Sequence, residues 1–275
     1  MNSTIKHCLL WASICFCKCT AFGQQSKIDS LLLIVKTSIE DTNKVINLNR
    51  LGREMMYQNP DTSMLLSNQA LSLSRKIGWP KGIASSLGDL GIYNSITGNY
   101  PKALDYYLQA LIIDENSKDK NGMAKRFGNI GIIYDSQGDY PNALEYYFKA
   151  LRIAEELGNK DKIQRNLSNI GNTYLSQANF QKSLDYYFKA LKIAEELGDK
   201  IAIATILGGI GVNFQGKDDL SQALAYYLKA LKIEEQLGNK NGIAYALGNI
   251  GSVYAEQDEI QKALDCYFKA LKIDE

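Results

Sequence analysis

The chain has 275 residues, of which 45% are hydrophobic and 22% charged, so it can bury a core and falls outside the disordered class. Its formal net charge is +1, which excludes an overall field that would draw nucleic acid or an anionic membrane. Any partner must be chosen by local features.

Residues 1–23 differ from the rest. Lys6 and His7 precede the apolar run "CLLWASICFC", a polar "KCT" comes next, and Ala21-Phe22-Gly23 supplies small residues where a signal peptidase reads them. The layout predicts a cleavable signal peptide, cut before Gln24, and export to a periplasmic or extracellular location. The run is too short to span a bilayer comfortably, since a span needs about 20 apolar residues, so no direct membrane insertion is expected after cleavage, and an uncleaved anchor is the lesser alternative. A membrane anchor is expected only if the full-length chain continues. Ile14, Phe16 and Lys18 precede Cys15, Cys17 and Cys19, and none is the small residue that a lipidated cysteine requires.

Cleavage removes four of the five cysteines and the one histidine, leaving Cys266. A mature chain of that kind holds no disulfide framework, no Cys/His zinc site and no nucleophile–histidine pair. Carboxylates, lysines and tyrosines remain, but they recur in surface patterns. The expectation is a protein that is not an enzyme and uses neither cofactor nor metal.

After the signal, "SKIDSLLLIVKTSIED" reads as an amphipathic helix within residues 24–43 that covers the open face of the first repeat. Residues 44–83 carry a degenerate repeat, with Ala70 in register with Ala110. The clear repeat begins at 84. "GNIGIIY" at 128–134 returns as "SNIGNTY" at 168–174 and "GNIGSVY" at 248–254, with looser versions at 88 and 208. Gly91, Gly131, Gly171, Gly211 and Gly251 stand 40 residues apart and divide the chain into blocks 84–123, 124–163, 164–203, 204–243 and 244–275. A fixed period of this length implies a solenoid.

Block 124–163 shows the plan. Phe127, Ile130, Gly131 and Tyr134 have the i, i+3, i+4, i+7 spacing of a helix face, here helix A. Asp139 is a good N-cap, Pro141 suits a first helical turn, and helix B buries Ala143, Leu144, Tyr147, Ala150, Leu151 and Ala154 before Gly158 offers a C-cap. Each block is thus an antiparallel helix pair.

These residues resemble the tetratricopeptide repeat, whose signature is W-x2-L-G-x2-Y, then A-x3-F, then a late proline. Phe127, Ile130, Gly131, Tyr134, Ala143 and Tyr147 carry the match. The elongated period is similar to that of kinesin light chains and bacterial signalling regulators. The resemblance implies an all-α, right-handed superhelical solenoid of antiparallel hairpins. Glu115, Glu155, Glu195, Glu235 and Glu275 stand where the proline belongs, so helix B is expected to run on by about 6 residues, or ~9 Å. The last block lacks a polar closing helix, which predicts an end-to-end contact through its helix B or a continuation of the chain.

In the family, helix A lines a concave groove, and an asparagine there bonds the backbone of an extended ligand. That carries over to Asn129, Asn169 and Asn249; Asp89 and Gly209 break the series. An amide offers donor and acceptor together, and at 0.5–1.5 kcal/mol per bond three give on the order of 2–5 kcal/mol. The second glycine is expected to pack against helix B opposite Ala143, and the first to deepen the groove. Lys125 and Arg165, one turn before two of the asparagines, and Asn172 one turn beyond, resemble part of a clamp for a carboxylate.

Two patterns mislead. "GVNFQGKD" at 211–218 nearly spells a phosphate loop, but Asp218 replaces the required hydroxyl and no strand precedes it. The tyrosine pairs 106/107, 146/147, 186/187 and 226/227 suggest stacking platforms, but the second of each belongs to the core and no nucleic-acid partner is expected. The sequence therefore predicts a non-catalytic module that holds a protein or peptide ligand. One alternative is the sensor region of a bacterial receptor preceding a histidine kinase or nucleotide cyclase. The other is an assembly scaffold joined through its ends.

Overall fold

The computed structural model describes residues 27–274, and the described chain is all-α. The expected signal peptide, residues 1–23, lies outside the described residues. Helix α1 covers 27–37. It is succeeded by α2 (Thr42–Met55), α3 (Pro60–Lys76), α4 (Pro80–Ile96), α5 (Tyr100–Asn116), α6 (Lys120–Ser136), α7 (Tyr140–Glu156) and α8 (Lys160–Ser176). Then come α9 (Phe180–Leu197), α10 (Lys200–Gly216), α11 (Leu220–Leu237), α12 (Lys240–Glu256) and α13 (Ile260–Asp274). None of the described helices is long and apolar enough to cross a membrane. The chain divides into two compact units, the first ending at Arg126 and the second beginning at Phe127, so the division falls inside α6.

In the first unit, Ile28 and Leu31 of α1 join Val45, Leu48 and Leu51 of α2 and Leu66, Ala70 and Leu73 of α3 in one buried cluster. The amphipathic segment thus lies on the first hairpin. Leu71, Ala84, Leu87, Leu90 and Ala110 continue the core into the hairpin of α4 and α5.

The second unit stacks hairpins whose cores merge. Ala143, Tyr147 and Leu151 of α7 meet Leu167 and Ile170 of α8, Leu184, Tyr187, Ala190 and Ala194 of α9, and Ile206 and Ile210 of α10. Small alanines let the helices approach closely while tyrosine and isoleucine fill the space between them. Ala223, Tyr227, Ile250 and Val253 extend the interior to α12.

Helix α7 starts on the side-chain cap that the sequence predicts. Asp139 accepts from the Asn142 amide at 3.3 Å, with Pro141 in the first turn. Helix B, however, does not run on. Gly158 adopts the left-handed conformation at φ 63°, the Asn159 amide donates back to Ala154 O at 2.9 Å, and the Asn159 side chain caps α8. The stop comes from this glycine–asparagine pair rather than from a proline. The residues expected to lengthen helix B instead begin the next helix A, at Lys120, Lys160, Lys200 and Lys240. Lys118, Ala178, Asp218 and Asp258 are non-glycine residues in the same left-handed conformation, at φ 54–62°.

Candidate functional site

Within the second unit the A helices lie side by side. Thr173 on α8 donates to Asp135 on α6 at 2.8 Å, and Gln215 on α10 donates to Ser252 on α12 at 3.2 Å. Tyr227 donates to the Gln215 carbonyl at 2.9 Å, which ties that helix A to its own helix B. The repeating "GNIG" strip therefore runs across α6, α8, α10 and α12 at one register.

Its two glycines do different work. A methyl group built on Gly131 would lie 2.7 Å from the Tyr147 ring, and the same clash recurs at Gly171 with Tyr187 (3.2 Å), Gly211 with Tyr227 (2.5 Å) and Gly251 with Tyr267 (2.6 Å). What the glycine accommodates is thus the tyrosine ring of helix B, not Ala143. The first glycine has room for a methyl group. At Gly128 and at the buried Gly208 the nearest atom would be at ordinary contact distance, 3.9 Å, and at Gly248 nothing lies within 4 Å. Gly88, in the first unit, is the exception, because the Arg126 guanidinium fills its vacancy at 1.7 Å.

The asparagines beside those open positions are half-buried. The Nδ2 atoms of Asn129 and Asn249 are enclosed and meet no acceptor, and the Asn169 side chain makes no hydrogen bond among the described residues. A buried donor without a partner costs about 1–3 kcal/mol. The two breaks in the series are satisfied internally: Asp89 accepts from Arg53 Nε at 2.8 Å, and the place of a side chain at Gly209 is taken by the Tyr187 hydroxyl at 2.7 Å. Burial, with the Tyr245 phenol adding to it, holds the Tyr187 hydroxyl well above the usual phenol range, so it stays protonated.

The expected clamp is less coherent. Arg165 is exposed and paired with Asp161 one turn back, at 3.1 Å. Asn172 is exposed, and its carbonyl accepts the Tyr187 hydroxyl. Lys125 is exposed and belongs to the first unit. Sequence reasoning misses two other residues of the strip, Ile132 at 43% exposure and Tyr245 at 63%. Tyr245 occupies the register of Arg165. A large apolar residue where a sister repeat carries a cation is a signal that the alignment of blocks contains.

The first unit carries a buried ion pair instead. Arg126 Nε donates to Asp114 Oδ2 at 3.1 Å, both side chains being 4% exposed, and Arg126 Nη1 has no partner. Burial raises the Asp114 carboxyl, and Arg126 opposes the shift.

The tetratricopeptide repeat description matches residues 82–156, 122–196, 162–236 and 202–275 in overlapping windows. No curated protein matches the chain in sequence. Among solved structures, BtubC from P. vanneervenii is similar at a TM-score of 0.69 and 21% identity, covering 78% of this chain and 91% of its own. The apo form of RapI is similar at 0.71 and 19%, covering 91% of each chain. A Rap protein complexed with competence and sporulation factor is similar at 0.61 and 17%, covering 91% of this chain and 76% of its own. Identities this low show the fold alone. The matched windows span most of the chain, and together with the glycine–tyrosine hairpins they make it a member of the tetratricopeptide repeat family.

Proposed function

We propose that the second unit is a protein-interaction module that receives an extended peptide along the strip formed by α6, α8, α10 and α12. The observation that carries this reading is the unused hydrogen-bonding capacity of Asn129, Asn169 and Asn249 beside side-chain-free positions at Gly128 and Gly248. A peptide N–H can meet an amide oxygen, and a half-turn about χ2 presents the enclosed nitrogen to a peptide carbonyl. Ile132 and Tyr245 add apolar contact, and Arg165 and Asn172 offer polar contact at the edge. The Rap protein seen with competence and sporulation factor lends this reading support through its fold.

The test uses a peptide selected from a displayed library on the intact chain. Asn129→Ala combined with Asn169→Ala is expected to weaken binding roughly 5- to 150-fold, the equivalent of two hydrogen bonds. The melting temperature should stay unchanged, since no internal bond is removed. Equal loss of stability and binding would show that these amides serve the fold.

A second reading rests on α13, where Leu264, Tyr267, Phe268 and Leu271 are 41–59% exposed. That apolar face supports an end-to-end contact. Sedimentation across a concentration series should then reveal self-association that Phe268→Lys abolishes. Export rests on the sequence of residues 1–23, and fusing them to a periplasmic reporter tests it.

A further inference from the structure

Helices α7, α9 and α11 of the second unit carry a tyrosine at a fixed register, and each ring sits in a cage of aromatic and cationic neighbours placed alike. Tyr146 stacks on Tyr134 with centroids 5.5 Å apart, Tyr186 on Tyr174 at 5.6 Å, and Tyr226 on Phe214 at 5.4 Å. A wall comes from the preceding helix B, with Phe148 edge-on to Tyr186 at 6.0 Å and Phe188 edge-on to Tyr226 at 6.5 Å. A lysine three residues further along covers the ring: Lys149 Nζ lies 4.8 Å from the Tyr146 centroid, Lys189 5.1 Å from Tyr186 and Lys229 4.8 Å from Tyr226. Tyr186 and Tyr226 are thus held by stacking, an apolar wall and a cation over the face, and Tyr146 by stacking and a cation.

In the last repeat the cage persists and the ring is gone. Cys266 occupies the register of those tyrosines. Tyr254 stands where Phe214 stands one repeat earlier, Leu228 replaces Phe188, and Lys269 is the counterpart of Lys229. All four border a cleft of about 280 Å³, with Lys262 and Asp265 at its rim. Lys262 Nζ lies 5.2 Å from the Tyr254 centroid, as Lys182 lies 5.1 Å from Tyr174, so the cage's outer layer is unaltered.

We propose that this cleft is a binding site for a small single-ring aromatic molecule of the phenol class. The identity of the occupant comes from the chain itself, because three sister repeats fill the same place with a phenol. The volume lies just below the usual range for small-molecule pockets and has room for one ring. Tyr254 offers the stacking face, Leu228 the wall and Lys269 the cation. Lys262 and Asp265 supply a donor and an acceptor for a hydroxyl. The site is separate from the asparagine strip, and its test does not depend on that reading.

Para-cresol, the side chain of tyrosine as a free molecule, is the probe. With the full chain, the rate of Cys266 alkylation by a maleimide is measured by peptide-resolved mass spectrometry as para-cresol is raised. A saturable loss of alkylation is expected, while methylcyclohexanol, which has the same skeleton without a π face, should leave the rate unchanged. No protection by para-cresol, or equal protection by methylcyclohexanol, would overturn the proposal. Cys266→Tyr restores the side chain that three repeats accommodate, so it should fold and fill the cage. Saturation-transfer NMR should then detect para-cresol on the natural protein and lose it on this variant; a signal persisting at equal strength would place the phenol elsewhere and defeat the assignment.

Discussion

Gly131 and Gly248 are both helical glycines of the same strip, yet their replacement by alanine should move stability in opposite directions. At Gly131 the added methyl meets the Tyr147 ring at 2.7 Å, and overpacking of this kind costs typically 1–3 kcal/mol. At Gly248 the methyl enters open space, so the helix gains about 1 kcal/mol from propensity alone. Chemical denaturation of Gly131→Ala and Gly248→Ala checks both signs. If the strip receives a peptide, Gly248→Ala should also weaken binding while it stabilises the fold. The 40-residue period makes the structural glycine legible, but not its partner, because register alone does not tell where a tyrosine ring swings. The asparagines are legible by type and spacing. Their enclosed nitrogens depend on how closely neighbouring helices cross, which no single block encodes. Ala178 offers a third test: it holds φ 54° where other turns use glycine, so Ala178→Gly should raise stability by about 1 kcal/mol in the same assay.

At the scale of an element, the end of helix B sets two sequence signals against each other, and the C-cap expected at Gly158 prevails over the run-on expected from the absent proline. The missing proline suggests an overlong helix, whereas Gly158 and Asn159 already spell a left-handed stop and then a cap. The first unit has a different local solution, the buried Asp114–Arg126 pair. Asp114→Ala alone leaves a cation buried without its partner and should cost about 3–5 kcal/mol. The sister repeat carries Ala154 and Asn166 at those registers, so Asp114→Ala with Arg126→Asn should recover much of the loss. Urea melts of the single and double variants measure the coupling. An acidic residue near the end of helix B does not by its type mark burial, since Glu155 and Glu195 are exposed whereas Glu234, at the register of Asp114, is buried.

For the molecule as a whole, repeat arrays derive their stability from each hairpin and its contacts with immediate neighbours. The merged core of the second unit extends from α7 to α10, whereas α13 buries only Ala263 among its described residues. Native-state hydrogen exchange should therefore show the slowest amides in α9 and α10 and the fastest in α13. Association through α13 would slow that helix as protein concentration rises. The all-α class and the hairpin plan are legible because one pattern is written repeatedly. The vacant aromatic cage is not, since a cysteine among tyrosines reads as a mild substitution until the surrounding rings are seen. The pairing of Gly131 with Tyr147 has an evolutionary corollary, because lock and key are carried by the same forty codons. Copying or excising one such stretch in frame moves both halves together, so an ancestor could lengthen or shorten its array without redesigning a single hairpin.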